Sequence, residues 1–190
     1  MPENKNDKNI FLETLEWICR KLETSDIPYM ITGGSAVGFW GYIRTTMDID
    51  IIIQIQSKKV EQFLKGLENE AYINIDEAEK SIRDKKMFNI ILNKSCFKID
   101  IIPLNEKDEY EKEKFKNKVK INFQSKEIFI ISPEDLIISK LIWNRLSGGS
   151  ERQLKDCESI YKLNSENLNL DYITKWVKIL KLEETFNKIV

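Results

Sequence analysis

The chain has 190 residues, of which 42% are hydrophobic, and its 30 basic and 31 acidic residues leave a formal net charge of -1. This length favours one compact unit with a single substantial core. A near-neutral charge gives no general attraction to nucleic acid or membranes, so composition does not support a tRNA partner. Because the chain has no histidine, Ser-His-Asp and Cys-His catalysis are excluded. Catalysis would therefore depend on carboxylates, lysine, hydroxyls and the backbone.

Three sequence features indicate the compartment. The first residues, MPENKNDKN, are polar and charged, unlike a secretory signal. No apolar run approaches the roughly 18 residues of a membrane span. Cys19, Cys96 and Cys157 are far apart and include no C-x-x-C pair, which argues against a disulfide framework or a zinc site. These features predict a cytoplasmic protein with no membrane partner.

Hydrophobic periodicity predicts alternating helices and strands in the first part of the chain. Apolar residues at helical spacing predict a first helix over residues 10–24. YMIT is a predicted strand, GGSAVGFWGYI a turn followed by a short helix, and the β-branched MDIDIIIQI a second strand. Ser57 is predicted to cap the next helix. MFNIIL and FKIDIIP are then expected to form a hairpin around NKSC.

The later part of the chain is predicted to be mostly helical. The charged segment 105–118 is expected to be a solvated helix or loop, and VKINFQSKEIFII a pair of short strands. Ser132, followed by proline and two acids, is a strong helix start. Ser150 and Gln153 form a capping-box pattern that opens another helix. Residues 170–190 are predicted to be helical again.

The turn after the first strand carries adjacent glycines and a hydroxyl. Gly33 and Gly34 have no Cβ, so the backbone can turn sharply and approach a ligand closely. A helix that begins near Ser35 would direct free backbone N–H groups at an anion. The alternative is a tight strand-to-helix turn whose glycines serve packing.

Asp48 and Asp50 lie inside the predicted second strand. Residues two apart on a strand share a face, so the two carboxylates lie side by side. The other face of the strand is apolar, with Met47, Ile49, Ile51 and Ile53. Two neighbouring, partly shielded carboxylates repel, and magnesium, which prefers oxygen ligands and bridges them to phosphates, would relieve this. The alternative is a solvated pair or a salt bridge to Arg44.

A third acid, Asp100, lies inside the apolar strand FKIDIIP, on the same face as Lys98. If this strand neighbours the second strand, three carboxylates converge. Such a cluster suits a two-metal site, where one ion holds the triphosphate and the other activates a hydroxyl. The alternative is a simple ion pair between Lys98 and Asp100.

Two segments resemble a known family. GGSAVGFWGYIRTTMDIDI resembles the G-G-S, then R-x-T-x-D-[IL]-D signature of the nucleotidyltransferase superfamily, which shares the polymerase-β-like fold. SPEDLIISKLIWNR followed by SERQLKD resembles its AbiEii-type branch, often found as bacterial toxins paired with an antitoxin. The resemblance covers about residues 28–160. It implies an α/β (α+β) fold with a small mixed β-sheet flanked by helices, divided into a core over 1–131 and a helical C-terminal part over 132–190 that together form one unit.

The resemblance also assigns roles around one nucleotide site. It implies that the triphosphate is held by Gly33, Gly34 and Ser35, and that magnesium is bound by Asp48 and Asp50.

It further implies that Asp100 is the third carboxylate, which binds metal and assists deprotonation of the acceptor, and that Lys140 and Asp156 complete the nucleotide site. Lys140 also lies on the mostly apolar face of its helix, where an unpaired ammonium is unfavourable, so it needs an anion. That anion is Asp156 or a phosphate; the alternatives are a structural pair and a surface lysine. Further candidates for phosphate contacts are Arg44, Arg145 and Arg152.

The expected function is Mg²⁺-dependent transfer of a nucleoside monophosphate from an NTP to a hydroxyl, with release of pyrophosphate. The acceptor is left open between tRNA, a protein and a small molecule, and a cognate toxin or antitoxin is an expected partner. The alternative is a catalytically inactive relative that acts as an antitoxin or regulatory binding module.

Overall fold

The computed structural model describes residues 5–44, 46, 48–124 and 126–190, with side chains from residue 10 onward. Its elements are α1 (Lys5–Thr24), β1 (Tyr29–Thr32), α2 (Gly33–Trp40), β2 (Asp48–Ile53), α3 (Ser57–Lys65), β3 (Ala71–Tyr72), α4 (Ile75–Asp84), β4 (Phe88–Leu92), β5 (Lys98–Pro103), α5 (Glu109–Lys116), β6 (Val119–Phe123), β7 (Lys126–Ile130), α6 (Pro133–Leu146), α7 (Glu151–Asn164), α8 (Leu170–Ile179) and α9 (Glu183–Phe186). Met47, predicted on the apolar face of the second strand, lies outside these residues. No helix in the described ranges is long and apolar enough to cross a membrane.

The strands of the described chain form one sheet in the order β3-β4-β5-β2-β1-β7-β6. β2 runs parallel to β5 and β1 parallel to β7, whereas the other neighbouring pairs are antiparallel. The hairpin predicted around NKSC is confirmed as β4 and β5, and the later pair of short strands as β6 and β7. The predicted mixed sheet flanked by helices is therefore confirmed.

The parallel pair β2 and β5 determines which polar side chains meet. In its register Asp48 lies opposite Lys98, and Asp50 lies opposite Asp100. Since alternate residues of a strand share a face, these four side chains lie on one face of the sheet. Ile49, between the two aspartates, is fully buried on the other face.

One hydrophobic core includes residues from both predicted parts of the chain. Ile18 of α1 and Ile51 of β2 are fully buried in it, as are Ile137 and Leu141 of α6. The indole N–H of Trp40 also donates to the carbonyl of Ile131, at 2.8 Å. The boundary after residue 131 stays a prediction, although a shared core is consistent with one compact unit.

The charged segment 105–118 is less solvated than expected. It contains α5, on which Tyr110, Lys114 and Phe115 are buried. The ring of Tyr110 packs against Trp176 of α8, with the ring centroids 5.0 Å apart. Because this cover comes from a helix much later in the chain, the local charge pattern could not indicate it.

The predicted helix caps are formed in part. The hydroxyl of Ser132 accepts the N–H of Asp135 at the start of α6, as predicted. Ser150 occupies the cap position of α7, but its side chain makes no cap hydrogen bond, so the expected capping box is absent. The turn is held instead by the side-chain amide of Asn144, which donates to the Ser150 carbonyl. Ser57 is the first residue of α3 and not its cap.

Candidate active site

The glycine turn brings the start of α2 against the carboxylate of Asp50. Gly33 has a φ of +63°, a backbone conformation that side chains with a Cβ rarely adopt, and a Cβ placed there would lie 1.9 Å from Oδ2 of Asp50. The N–H of Gly34 donates to the same oxygen, at 3.2 Å. The glycines therefore let the backbone approach the Asp50 carboxylate closely. This carboxylate lies at the N-terminus of α2, where the helix dipole favours negative charge.

Two hydroxyls fix the strand that carries the acids. Ser35 is buried, and its hydroxyl donates to the main-chain carbonyl of Asp48 at 3.0 Å. The hydroxyl of Thr46 lies 3.2 Å from that carbonyl and 3.1 Å from Oδ1 of Asp48. The contact predicted between Ser35 and phosphate stays a prediction. Thr46 is the threonine of the R-x-T-x-D signature, but the sequence did not indicate its contact with Asp48.

The three predicted carboxylates lie together on β2 and β5. The side chain of Asp48 is 36% exposed, whereas that of Asp100 is only 7% exposed. Burial, with the nearby charge of Asp48, raises the pKa of Asp50 to about 6, although the N–H of Gly34 opposes this. Oδ1 of Asp100 is buried and has no hydrogen-bond partner in the described part of the chain. A buried anionic oxygen without a partner is unfavourable, so the arrangement favours an additional cation or donor.

Lys98 lies among these acids. Its Nζ is 2.8 Å from Oδ2 of Asp100 and 3.7 Å from Oδ2 of Asp48. The hydrogen bond to Asp100 raises the pKa of Lys98, so its ammonium form is favoured. The ion pair between Lys98 and Asp100, considered as an alternative from the sequence, is therefore formed, and the same ammonium also lies near Asp48.

The carboxylates have the donor chemistry that magnesium prefers, because they offer only oxygen ligands. The raised pKa of Asp50 and the unpartnered oxygen of Asp100 also fit a bound cation. Within the described ranges, however, no group of three or more acidic or cysteine side chains forms a ready-made metal site. Magnesium binding by Asp48, Asp50 and Asp100 stays a prediction.

A second polar cluster surrounds Asp156, which is completely buried on α7. Its Oδ2 lies 2.8 Å from Nζ of Lys140 and 3.2 Å from Nη2 of Arg44. Its Oδ1 accepts from the hydroxyl of Tyr42 and from Nε of Arg44, at 3.0 and 3.2 Å. Burial by itself would raise the pKa of Asp156, but Lys140, Arg44 and Tyr42 outweigh it and lower the pKa. Tyr42 was missed from the sequence, although it is two residues from Arg44.

The two clusters are neighbours. A Cβ at Gly34 would lie 3.0 Å from Nη2 of Arg44, so this guanidinium lies beside the glycine turn. The charge of Lys140 lowers the pKa of Asp50 and so acts across the same space. The tertiary structure thus brings together the glycine turn, the carboxylates and the pair of Lys140 and Asp156, which are far apart in sequence.

This arrangement agrees with the comparison to known families. Residues 10–180 match the family described as "Nucleotidyltransferase of unknown function (DUF6036)". The chain belongs to this family. The narrower AbiEii-type assignment stays a prediction, and no curated protein matches the chain.

Solved structures with a fold similar to that of the DUF6036 chain include the following three proteins. An antigenic nucleotidyltransferase-like protein from Paracoccidioides brasiliensis is 15% identical, over 93% of this chain and 91% of that chain, with a TM-score of 0.59. The antibiotic-resistance factor ANT(2'')-Ia is 14% identical, over 95% and 96%, with a TM-score of 0.62. The lincosamide antibiotic adenylyltransferase LnuA is 15% identical, over 84% and 98%, with a TM-score of 0.52. At these identities the likeness shows the fold alone.

Two further arginines of the DUF6036 chain were candidates for phosphate contacts. Nη1 of Arg145 donates to the carbonyls of Leu180 and Lys181, at 2.7 and 3.3 Å, and so holds the end of α8. The charge of Arg152 acts on the phenol of Tyr42, whose pKa is raised mainly by burial. Arg145 therefore has a structural contact, whereas the charge of Arg152 acts on Tyr42, a member of the cluster around Asp156.

Replacing Asp156 with asparagine is expected to lower the free energy of unfolding by about 3 kcal/mol, because Lys140 and Arg44 would lose their buried counter-charge. Urea denaturation at neutral pH measures the change. Because the pKa of Asp156 is lowered, its stabilisation is present above the unfolded value of 3.8 and is lost as the pH falls through the folded value.

The matched control is Glu158→Gln on the same helix. Glu158 is 41% exposed and lies 3.8 Å from Lys162, a surface pair worth about 0.5 kcal/mol or less. Equal losses in the two variants would contradict a special role for Asp156.

Proposed function

We propose that the protein transfers a nucleoside monophosphate from an NTP to a hydroxyl acceptor and releases pyrophosphate. The observation that carries this proposal is the meeting of Asp48, Asp50 and Asp100 beside the turn at Gly33 and Gly34. Membership of a nucleotidyltransferase family supports the reaction class.

Different residues are proposed to bind the triphosphate, to supply positive charge and to hold magnesium. The turn at Gly33 and Gly34 admits the triphosphate at the start of α2, where the helix dipole favours negative charge. Arg44 and Lys140 add positive charge beside this turn, and Asp156 holds both side chains in position. Magnesium, held by Asp48 and Asp50, would neutralise charge on the phosphates and orient them.

Asp100 is the proposed base. The acceptor hydroxyl oxygen attacks the α-phosphorus, and the bond from this phosphorus to the bridging oxygen breaks. The electron pair of that bond leaves with pyrophosphate, and the hydroxyl proton passes to Oδ1 of Asp100. This oxygen has no hydrogen-bond partner among the described residues, whereas Oδ2 is held by Lys98. Positioning and charge stabilisation would supply most of the rate enhancement.

The proposed acceptor is a hydroxyl of a small molecule, a protein or a tRNA. ANT(2'')-Ia has been solved with adenylyl-2''-tobramycin and LnuA with lincomycin, so two fold neighbours act on or bind small molecules. The net charge of -1 gives no support to tRNA. A toxin–antitoxin role, expected from the AbiEii resemblance, and a cytoplasmic location, expected from the composition and the cysteine spacing, are part of the same proposal.

The test is transfer of label from each α-³²P-NTP, with Mg²⁺, to cell-extract fractions enriched in metabolites, protein or tRNA. Asp48→Asn is expected to reduce transfer at least about 100-fold, because it removes one metal-binding charge. The control is Asp84→Asn, which changes an exposed acid at the end of α4 and should keep wild-type transfer.

Two results would contradict the proposal. Undiminished transfer by Asp48→Asn would exclude its metal role. If no NTP is transferred and none raises the melting temperature with Mg²⁺, the alternative of a non-catalytic binding module would be favoured.

A further inference from the structure

The register of the sheet determines the position of Lys98. It is the first residue of β5 and lies opposite Asp48 in the parallel pair with β2. It also precedes Asp100 by two residues, so both side chains leave the strand on the same face. The two nearest acids of the site therefore flank its ammonium, at 2.8 Å for Asp100 and 3.7 Å for Asp48.

A second divalent ion of a two-metal site would need this same position. Paired catalytic metals lie about 3.5–4 Å apart, so two ions bound by Asp48, Asp50 and Asp100 would have to fit among the same few oxygens. The ammonium of Lys98 already lies between oxygens of Asp48 and Asp100. The Lys98 side chain is 40% exposed. An additional cation there would meet like charge at contact distance.

The remaining oxygens leave space for one ion. One oxygen of each carboxylate is held by a donor of this chain, namely Thr46 on Asp48, Gly34 on Asp50, and Lys98 on Asp100. Oδ1 of Asp100 is buried and has no hydrogen-bond partner among the described residues. Because this oxygen is the proposed proton acceptor, the other oxygens of Asp48 and Asp50 are the ones left to hold the ion. Three ionised carboxylates and one ammonium carry a charge of about -2, which one divalent ion neutralises.

We propose that this site takes a single divalent ion and that the ammonium of Lys98 fills the second cation position, between Asp48 and Asp100. The inference rests on the proposed nucleotidyl transfer and goes beyond it, because it replaces the two-metal arrangement with one metal and a lysine. Lys98 is a positioning residue: it holds Oδ2 of Asp100 so that Oδ1 remains free to accept the hydroxyl proton.

The experiment counts ions through their magnetic coupling and does not depend on turnover. The wild-type protein, with Mn²⁺ and each of the four α,β-methylene NTP analogues, is expected to give the EPR spectrum of an isolated Mn²⁺ ion. Lys98→Met removes the ammonium at similar side-chain length and is expected to give the spectrum of a spin-coupled pair. Lys98→Arg keeps the positive charge and is expected to resemble the wild type.

Lys94→Met is the matched control, since Lys94 belongs to the same hairpin but is 89% exposed and lies near Glu13, 3.9 Å away. It should keep the isolated-ion spectrum, and circular dichroism verifies that each variant is folded. A coupled pair in the wild type would overturn the inference and leave the proposed function intact, as would an isolated ion in folded Lys98→Met. If no analogue recruits Mn²⁺ to the wild-type protein, the proposed function fails together with the inference.

Discussion

Gly33→Ala is expected to abolish nucleotidyl transfer and to lower the free energy of unfolding by about 2–4 kcal/mol. An alanine would need the positive φ of +63°, which costs about 1–2 kcal/mol. Its Cβ would also lie 1.9 Å from Oδ2, 2.4 Å from Cγ and 2.7 Å from Cβ of Asp50. Rotation of the carboxylate cannot relieve the last contact, so the turn or β2 must move. The measurements are urea denaturation and the α-³²P-NTP transfer assay.

Gly38→Ala provides the control within the same helix. A Cβ at Gly38 would meet no atom of the described residues within 4 Å outside its own helix backbone and chain neighbours, and Gly38 lies inside α2. Alanine should therefore leave transfer unchanged and raise stability by about 0.5–1 kcal/mol, because glycine is unfavourable inside helices. If Gly33→Ala transfers label as fast as the wild type, the activity does not require the close contact between this turn and Asp50.

Asp50→Asn is expected to remove activity while stabilising the metal-free protein. The pKa of Asp50 is raised from 3.8 to about 6, chiefly by burial, so the folded state disfavours its ionised form. The resulting loss in the free energy of unfolding is absent below pH 3.8 and grows as the pH rises to about 6. Above that pH it stays constant, at about 1–3 kcal/mol. Asparagine does not ionise and can still accept the N–H of Gly34. Urea denaturation in EDTA, from pH 4 to 8, measures this difference.

Magnesium and nucleotide should reverse the order of stability. They bind the wild-type carboxylate and stabilise the folded state, whereas Asp50→Asn gains little from them. Asp84→Asn, with its exposed acid, should follow the wild type under both conditions. If Asp50→Asn is less stable than the wild type in EDTA at pH 8, the carboxylate is stabilised by the fold and the proposed cation requirement is wrong.

The sequence was most informative where a pattern is local. Alternation along β2 predicts that Asp48 and Asp50 share a face, and the strand confirms it. The hydroxyl and proline at Ser132 likewise predict the start of α6, because a helix cap involves only neighbouring residues.

Predictions were weaker where a partner is distant in sequence. The burial of Tyr110 depends on Trp176, and the place of Lys98 depends on the register between β2 and β5. The sequence offered Arg44 as a salt-bridge partner for Asp48 and Asp50, whereas in the structure its guanidinium pairs with Asp156.

By itself the sequence determined which chemical groups are available at this site, because it contains the residue types and their local spacing. These groups are three strand carboxylates, a glycine turn and a lysine–aspartate pair, without any histidine. Only the tertiary structure decided how they are arranged. The parallel register of β2 and β5 brings Asp100 beside Asp50 and Lys98 beside Asp48. The packing of the helices brings Asp156 to Arg44 and Lys140. These contacts form because the chain buries one shared hydrophobic core. The free energy of that burial comes from residues throughout the chain and not from any single motif.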